Sequence, residues 1–93
     1  YEMNVTYTDV TDNATKVTVS LPDDATGIVT IIINGTNFTG VIYKGKAVID
    51  VVNLTAPLYH YVAVWDGDEK YVNGSKAGII HNKEYRDDSQ VIV

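Results

Sequence analysis

Apolar and polar residues alternate along this chain in short runs separated by turn residues, at a spacing of roughly ten residues that suits strands of a sandwich or barrel. Met3, Val5 and Tyr7 alternate with Asn4, Thr6 and Thr8, which predicts a first strand over 2–8. Residues 15–21 repeat the pattern more cleanly. Val17, Val19 and Leu21 face one way, and Lys16, Thr18 and Ser20 the other, because successive strand side chains point to opposite faces. Pro22-Asp23-Asp24-Ala25-Thr26-Gly27 breaks the run, since proline removes a ladder donor and glycine accepts positive φ. A third strand is expected over 28–33. Asn34-Gly35 then supplies the strongest hairpin signal in the chain and sends 36–43 back antiparallel. Lys44-Gly45 marks the next turn. Ala47, Ile49 and Val51 form another inward set before Asn53-Leu54-Thr55-Ala56-Pro57 interrupts. Residues 59–65 are expected to be the longest central strand, closed by the polar loop Asp66-Gly67-Asp68-Glu69-Lys70. Beyond Tyr71 the pattern weakens: 76–81 and 89–93 are each expected as a short strand, with the charged stretch 82–88 between them.

Composition agrees with this pattern. Val, Ile, Thr and Tyr dominate while Leu appears three times and Met once, a strand vocabulary that predicts an all-β chain. Ninety-three residues make one domain, large enough for a core and too small for two. There is no cysteine, so hydrophobic packing works without disulfides, and thiol catalysis and thiolate metal binding are excluded. Net charge is -5 and the 7 basic residues are scattered, which argues against nucleic acid as a partner. No run approaches the ~18 apolar residues of a membrane span, so direct membrane insertion is not expected. The first residues lack a signal pattern, so an exported parent protein would carry its signal and anchor outside this piece.

Six of the seven asparagines fall in the acceptor pattern for N-linked glycosylation: Asn4-Val5-Thr6, Asn13-Ala14-Thr15, Asn34-Gly35-Thr36, Asn37-Phe38-Thr39, Asn53-Leu54-Thr55 and Asn73-Gly74-Ser75. With 10 Thr and 3 Ser, chance would give roughly one such triplet for seven asparagines. Turn chemistry inflates the count, because Asn34-Gly35 and Asn73-Gly74 are turn dipeptides in their own right. The excess nevertheless points to an exported, glycan-accessible surface.

From Leu21 onward the order of these signals resembles the immunoglobulin-like (bacterial Ig-like, Big-type) repeat modules of adhesin-like cell-surface proteins, particularly those of methanogenic archaea. Leu21-Pro22 through Ala25-Thr26-Gly27, running into residues 28–39, is similar to the family's "ATG, alternating strand, NGTNYT" segment. Gly45-Lys46-Ala47-Val48-Ile49-Asp50-Val51 with Asn53-Leu54-Thr55 is similar to "NGTATVTI, NLT". Residues 59–65 followed by Asp66-Gly67-Asp68-Glu69-Lys70-Tyr71 resemble the ending "YTVTVTY, SGDDNY". About half the chain is covered, in the right order. The resemblance implies an immunoglobulin-like β-sandwich of about seven antiparallel strands, one module of a tandem array on a cell surface, without catalysis. It makes Tyr59, Tyr61 and Trp65 core residues and Tyr59 a candidate for the corner hydrogen bond of such sandwiches.

This chain departs from that family on its outward positions. Where polar residues are usual, Ile28 and Ile32, Val48 and Val52, and Val62 and Val64 stand between the inward sets. A sheet in a sandwich buries one face, so these side chains are either covered by something or exposed. Ile32, Val62 and Val64 are therefore expected on the outer face of one sheet, as an interaction surface for a neighbouring module or for the chain's own carboxy-terminal segment.

Other chemistry is weaker. Asp66, Asp68 and Glu69 invite a calcium reading, because that ion takes several oxygen ligands, but their spacing lacks the alternation and terminal glutamate of an EF-hand loop and fits solvated turn acids better. His60 and His81 are the only imidazoles, and no spacing ties either to a nucleophile such as Ser75 or Ser89. No nucleophile elbow, zinc-protease helix or phosphate loop occurs, so no enzyme activity and no cofactor are expected. Among the tyrosines outside the inward sets, Tyr1, Tyr43, Tyr71 and Tyr85 are ligand candidates, and Tyr43, Tyr71 and Tyr85 would serve a carbohydrate site if their rings shared one exposed face. Lys16 and Asp50 are the one pair to inspect for a side-chain crosslink, although Lys16 is expected to face solvent.

These features lead to a non-enzymatic, extracellular module of an adhesin-like protein, a structural spacer in a surface stalk with an adhesion role open to it. Its expected partners are neighbouring Ig-like modules of the same chain, with host or microbial surface glycans or proteins as further ones. A carbohydrate-binding module and a surface-layer lattice subunit are the alternatives.

Overall fold

In the computed structural model, which describes residues 1–82, the alternating runs become seven strands: β1 (Asn4–Tyr7), β2 (Thr15–Ser20), β3 (Ile28–Ile33), β4 (Thr36–Val41), β5 (Lys46–Val51), β6 (Leu58–Trp65) and β7 (Gly74–His81). The strand expected over 76–81 is present and begins two residues earlier, at Gly74. The one expected over 89–93 lies outside the described residues.

All pairings are antiparallel. One sheet has the order β1-β2-β5 and the other β4-β3-β6-β7. This is an immunoglobulin-like β-sandwich in which the fourth strand pairs with the third rather than the fifth. Two-residue turns set the register at three places. Asp12-Asn13, Asn34-Gly35 and Lys44-Gly45 all hold positive φ at both positions, as the twist-matched hairpin turn requires. The first of these carries no strand-flanked signal in the sequence. It is closed by reciprocal bonds between Thr11 and Ala14, each 2.9 Å.

The inward residues are those the alternation picks out. Val17, Val19, Ala47, Ile49 and Val51 from one sheet meet Val29, Ile31, Ile33, Tyr61, Ala63 and Trp65 from the other, all buried. Full burial of a side chain of this kind contributes about 1.5–3 kcal/mol. Val10, Ala25, Ile42, Leu54 and Ile80 join the same core.

Two glycines allow close packing. A Cβ on Gly40 of β4 would stand 2.6 Å from Ile49 Cγ1 and 2.9 Å from Val48 O, so the bare backbone brings β4 against β5 and closes one side of the sandwich. A Cβ on Gly78 would meet the Tyr61 hydroxyl at 2.3 Å, so the Tyr61 ring lies over this glycine of the edge strand β7.

Tyr59 makes the corner bond that the resemblance implies: the Thr55 N–H donates to its hydroxyl at 2.9 Å. Tyr59→Phe is expected to lower stability by about 1 kcal/mol, the worth of one such bond. Urea unfolding followed by circular dichroism measures it, and an unchanged midpoint would show the bond to be idle.

The outer faces differ. On the three-stranded sheet the outward positions are Asn4, Thr6, Thr8, Lys16, Thr18, Ser20, Lys46 and Asp50, with Val48 the apolar exception among the paired positions. On the four-stranded sheet, Ile32 of β3 lies across from Val62 of β6, which lies across from Ala77 of β7. Val64, Ile79, Leu58 and Ile28 flank that row.

Candidate functional site

The loops at one pole, 21–27, 42–45 and 66–73, hold five of the nine acidic residues among residues 1–82, and Asp68 organises them. Its Oδ2 accepts the Thr26 N–H at 3.0 Å and the Thr26 hydroxyl at 3.2 Å, and its Oδ1 accepts the Lys70 N–H at 2.8 Å and the Tyr71 N–H at 2.9 Å. Four donors occupy the sites an ionised carboxylate offers. Asp68 is thus a brace between two loops 42 residues apart in sequence. A cation at either Asp68 oxygen would have to displace the bonds which that oxygen accepts. Asp66 and Glu69 are exposed, and among the described residues no group of three or more His, Asp or Glu side chains converges.

Asp24 makes the second link. Its carboxylate accepts from the Lys70 ammonium and from the Tyr71 hydroxyl. These two bonds, the lysine's first, hold the Asp24 carboxyl below its usual range. At Asp68, desolvation pushes upward, and the backbone donors of Thr26, Lys70 and Tyr71 outweigh it, so that carboxyl is lowered too. The bond to Asp24 raises both Lys70 and Tyr71.

The sign for stability follows. A carboxyl with a depressed folded-state pKa stabilises fully above its unfolded value, here 3.8, and loses that contribution as the pH falls through the folded value. The domain is therefore expected to weaken on acidification below 3.8. Asp68→Asn should melt lower at neutral pH and lose less across the acid range, as thermal melts at successive pH values would show. Equal acid slopes for the two proteins would remove these carboxylates from the account.

Of the tyrosines expected at a sugar platform, Tyr43 and Tyr71 do not share a face. Tyr71 is half-buried, its ring packed against Trp65 at 6.1 Å and Tyr1 at 5.6 Å, and its hydroxyl is committed to Asp24. Tyr1 stands edge-on to Trp65 at 5.6 Å and donates its hydroxyl to Val72 O at 2.8 Å. The Trp65 Nε1–H donates to Thr26 O at 3.0 Å, so this aromatic cluster belongs to the same brace. Tyr43 points elsewhere. It is 72% exposed on the hairpin between β4 and β5, beside Val41 and Val48 in an open depression rimmed by Lys44 and Lys46. Tyr85 lies outside the described residues.

The remaining candidates fall as follows. Lys16 and Asp50 are cross-strand partners joined by an ion pair at 3.0 Å, on the outer face and largely exposed rather than across the core. His60 and His81 share the outer face of the four-stranded sheet near the far pole, while Ser75 lies opposite Val64 towards the first pole. Ile32 and Val62 are 40% and 38% exposed and directly paired on that face, and Val64, half-buried, is paired with Thr30 beside them. All six sequon asparagines are exposed. The seventh, Asn82, is buried, and its side-chain amide donates to Leu54 O at 2.9 Å.

Sequence reasoning missed Asp24 and Thr26 as structural partners of the acidic loop, because nothing local signals a partner more than 40 residues away. For Asn82 a signal existed: it is the one asparagine without a hydroxyl residue two positions on. Among known proteins, no family model, no curated protein and no solved structure matches this chain.

Proposed function

We propose that this chain is a non-enzymatic immunoglobulin-like module of an extracellular, cell-surface protein, a spacer in a stalk of similar modules, in keeping with its resemblance to adhesin-like repeats. The path of the chain supports it. Tyr1 packs where β6 ends and β7 begins, against Trp65 and over Gly74, whereas Asn82 follows the far end of β7 and bonds Pro57 and Leu54. Residue 1 and residue 82 thus lie at opposite poles, about eight strand residues or ~26 Å apart. Neighbouring modules attached at these two poles would extend end to end. The module needs no cofactor, and its work is positional.

The apolar row Ile32, Val62 and Ala77 with Val64 is the surface offered to a neighbouring module or an adhesion partner. Ile32→Thr with Val64→Thr should change stability by no more than about 0.5 kcal/mol each, as surface substitutions do, when measured by urea unfolding. Substantial unfolding would assign these residues to the core. Labelling intact source cells with a membrane-impermeant amine reagent tests the location, and a chain that stays unlabelled while surface proteins react would overturn the proposal.

The exposure of Tyr43 beside Val41 and Val48 favours one second reading, a carbohydrate-binding module. A glycan array separates the two: binding abolished by Tyr43→Ala would make this an adhesin, and a folded domain that binds nothing would leave the spacer.

A further inference from the structure

We infer that Asn4, Asn37 and Asn73 are glycan acceptors of the folded domain, and that the other three sequons are not equivalent to them. This rests on the extracellular location proposed above. The six asparagines divide by backbone. Asn13, Asn34 and Asn53 hold φ of 63°, 51° and 63°, the left-handed region that asparagine tolerates better than most residues, so turn geometry alone accounts for their presence. Asn4, Asn37 and Asn73 have no positive φ to explain them.

These three also share a setting. Asn4 and Thr6 lie in β1, Asn37 and Thr39 in β4, and Asn73 directly precedes β7, which carries Ser75. Positions two apart in a strand project from the same face. Asn4 pairs with Ser20 and Thr6 with Thr18, both outward, and Asn37 pairs with Ile32 and Thr39 with Thr30, both outward. In all three triplets the asparagine and its hydroxyl residue are exposed. Asn13 contrasts with them: its Thr15 is 4% exposed and donates its hydroxyl to Thr8 O at 2.6 Å, so folding removes half of that recognition element.

The transfer itself is balanced by a lipid phosphate-linked oligosaccharide donor. The bond from the anomeric carbon to the phosphate oxygen breaks, a bond forms from that carbon to asparagine Nδ2, one amide proton passes to a base, and the lipid phosphate leaves. The placement has a use. Among the described residues β1, β4 and β7 are all sheet edges, where unpaired backbone groups invite strand addition, and a bulky polar sugar on or beside each would block it.

Glycopeptide mass spectrometry of the native chain from its source cells, run beside surface labelling of the same cells, tests this. Occupancy at Asn4, Asn37 and Asn73 is expected. Asn→Gln at each of the three should remove one mass step on a gel, and Asn13→Gln should remove none when the folded domain is the substrate of an oligosaccharyltransferase. A surface-labelled chain bare at these three sites, or carrying sugar only at Asn13, Asn34 or Asn53, overturns the assignment and leaves the surface location standing. A chain that is not surface-labelled overturns both.

Discussion

Trp65→Ala is expected to cost the domain about 3–5 kcal/mol of stability, the largest loss of any single truncation proposed for it. The indole is 1% exposed at the end of β6, its Nε1–H bonds Thr26 O, and Tyr1 and Tyr71 lean on the ring. Truncating a buried aromatic of this size costs about 3–5 kcal/mol, as lost transfer energy and an incompletely collapsed cavity. A domain of this length has roughly 5–14 kcal/mol in total. The loss therefore takes roughly a fifth of the stability or more, and it also leaves Thr26 O without its indole partner. Urea unfolding followed by far-ultraviolet circular dichroism measures it without depending on the deleted fluorophore. Trp65→Phe, which keeps a ring and loses the hydrogen bond, should fall between. A loss under about 1 kcal/mol for Trp65→Ala would mean that the aromatic cluster is a surface ornament rather than part of the core.

Gly67→Ala is the next largest effect and has a different origin. Gly67 has φ of +83°, and a Cβ there would stand 2.6 Å from Tyr71 O, 2.8 Å from Asn73 N and 2.8 Å from Val72 C. All three are backbone atoms of the loop that Asp68 ties to Thr26, so none can yield as a flexible side chain would. The left-handed conformation costs about 1–2 kcal/mol and the overlap about 1–3 kcal/mol more, for a total of roughly 2–5 kcal/mol. Gly35→Ala separates the two parts. Its φ is +76° with nothing within 4 Å of the added carbon, so it should show the conformational cost alone. Equal losses in the two variants, by the same unfolding assay, would refute the steric part.

The legibility of this fold in its sequence follows from where a residue's environment is decided. Val17, Val19, Ile49 and Val51 could be placed inward from alternation, since a strand's pleat fixes each side chain's face by its neighbours in sequence. Both-face apolar strands were legible too, and Ile32 and Val62 stand outward where that pattern put them. Val10 and Leu54 are equally buried but sit outside the strands, where no period marks them. The acidic loop was the hardest part. Asp68 next to Lys70 and Tyr71 looks like solvated turn chemistry, and two of its bonds are that. The other two reach Thr26, and only the meeting of β3 and β6 in one sheet brings those loops together. Tyr71 was misleading for the same reason: its neighbours in sequence are polar, while its neighbours in space are Trp65, Tyr1 and Asp24.

The opposite placement of residues 1 and 82 sets how β1 and β7 answer a pull applied at those two points. Pulling outward at both poles draws β1 and β7 along their own axes, so the ladders that hold them are loaded in shear and their hydrogen bonds share the force instead of opening one after another. The β7 ladder runs over eight register pairs and the β1 ladder over four, which makes β1, with the Tyr1 ring as its anchor, the first element to yield.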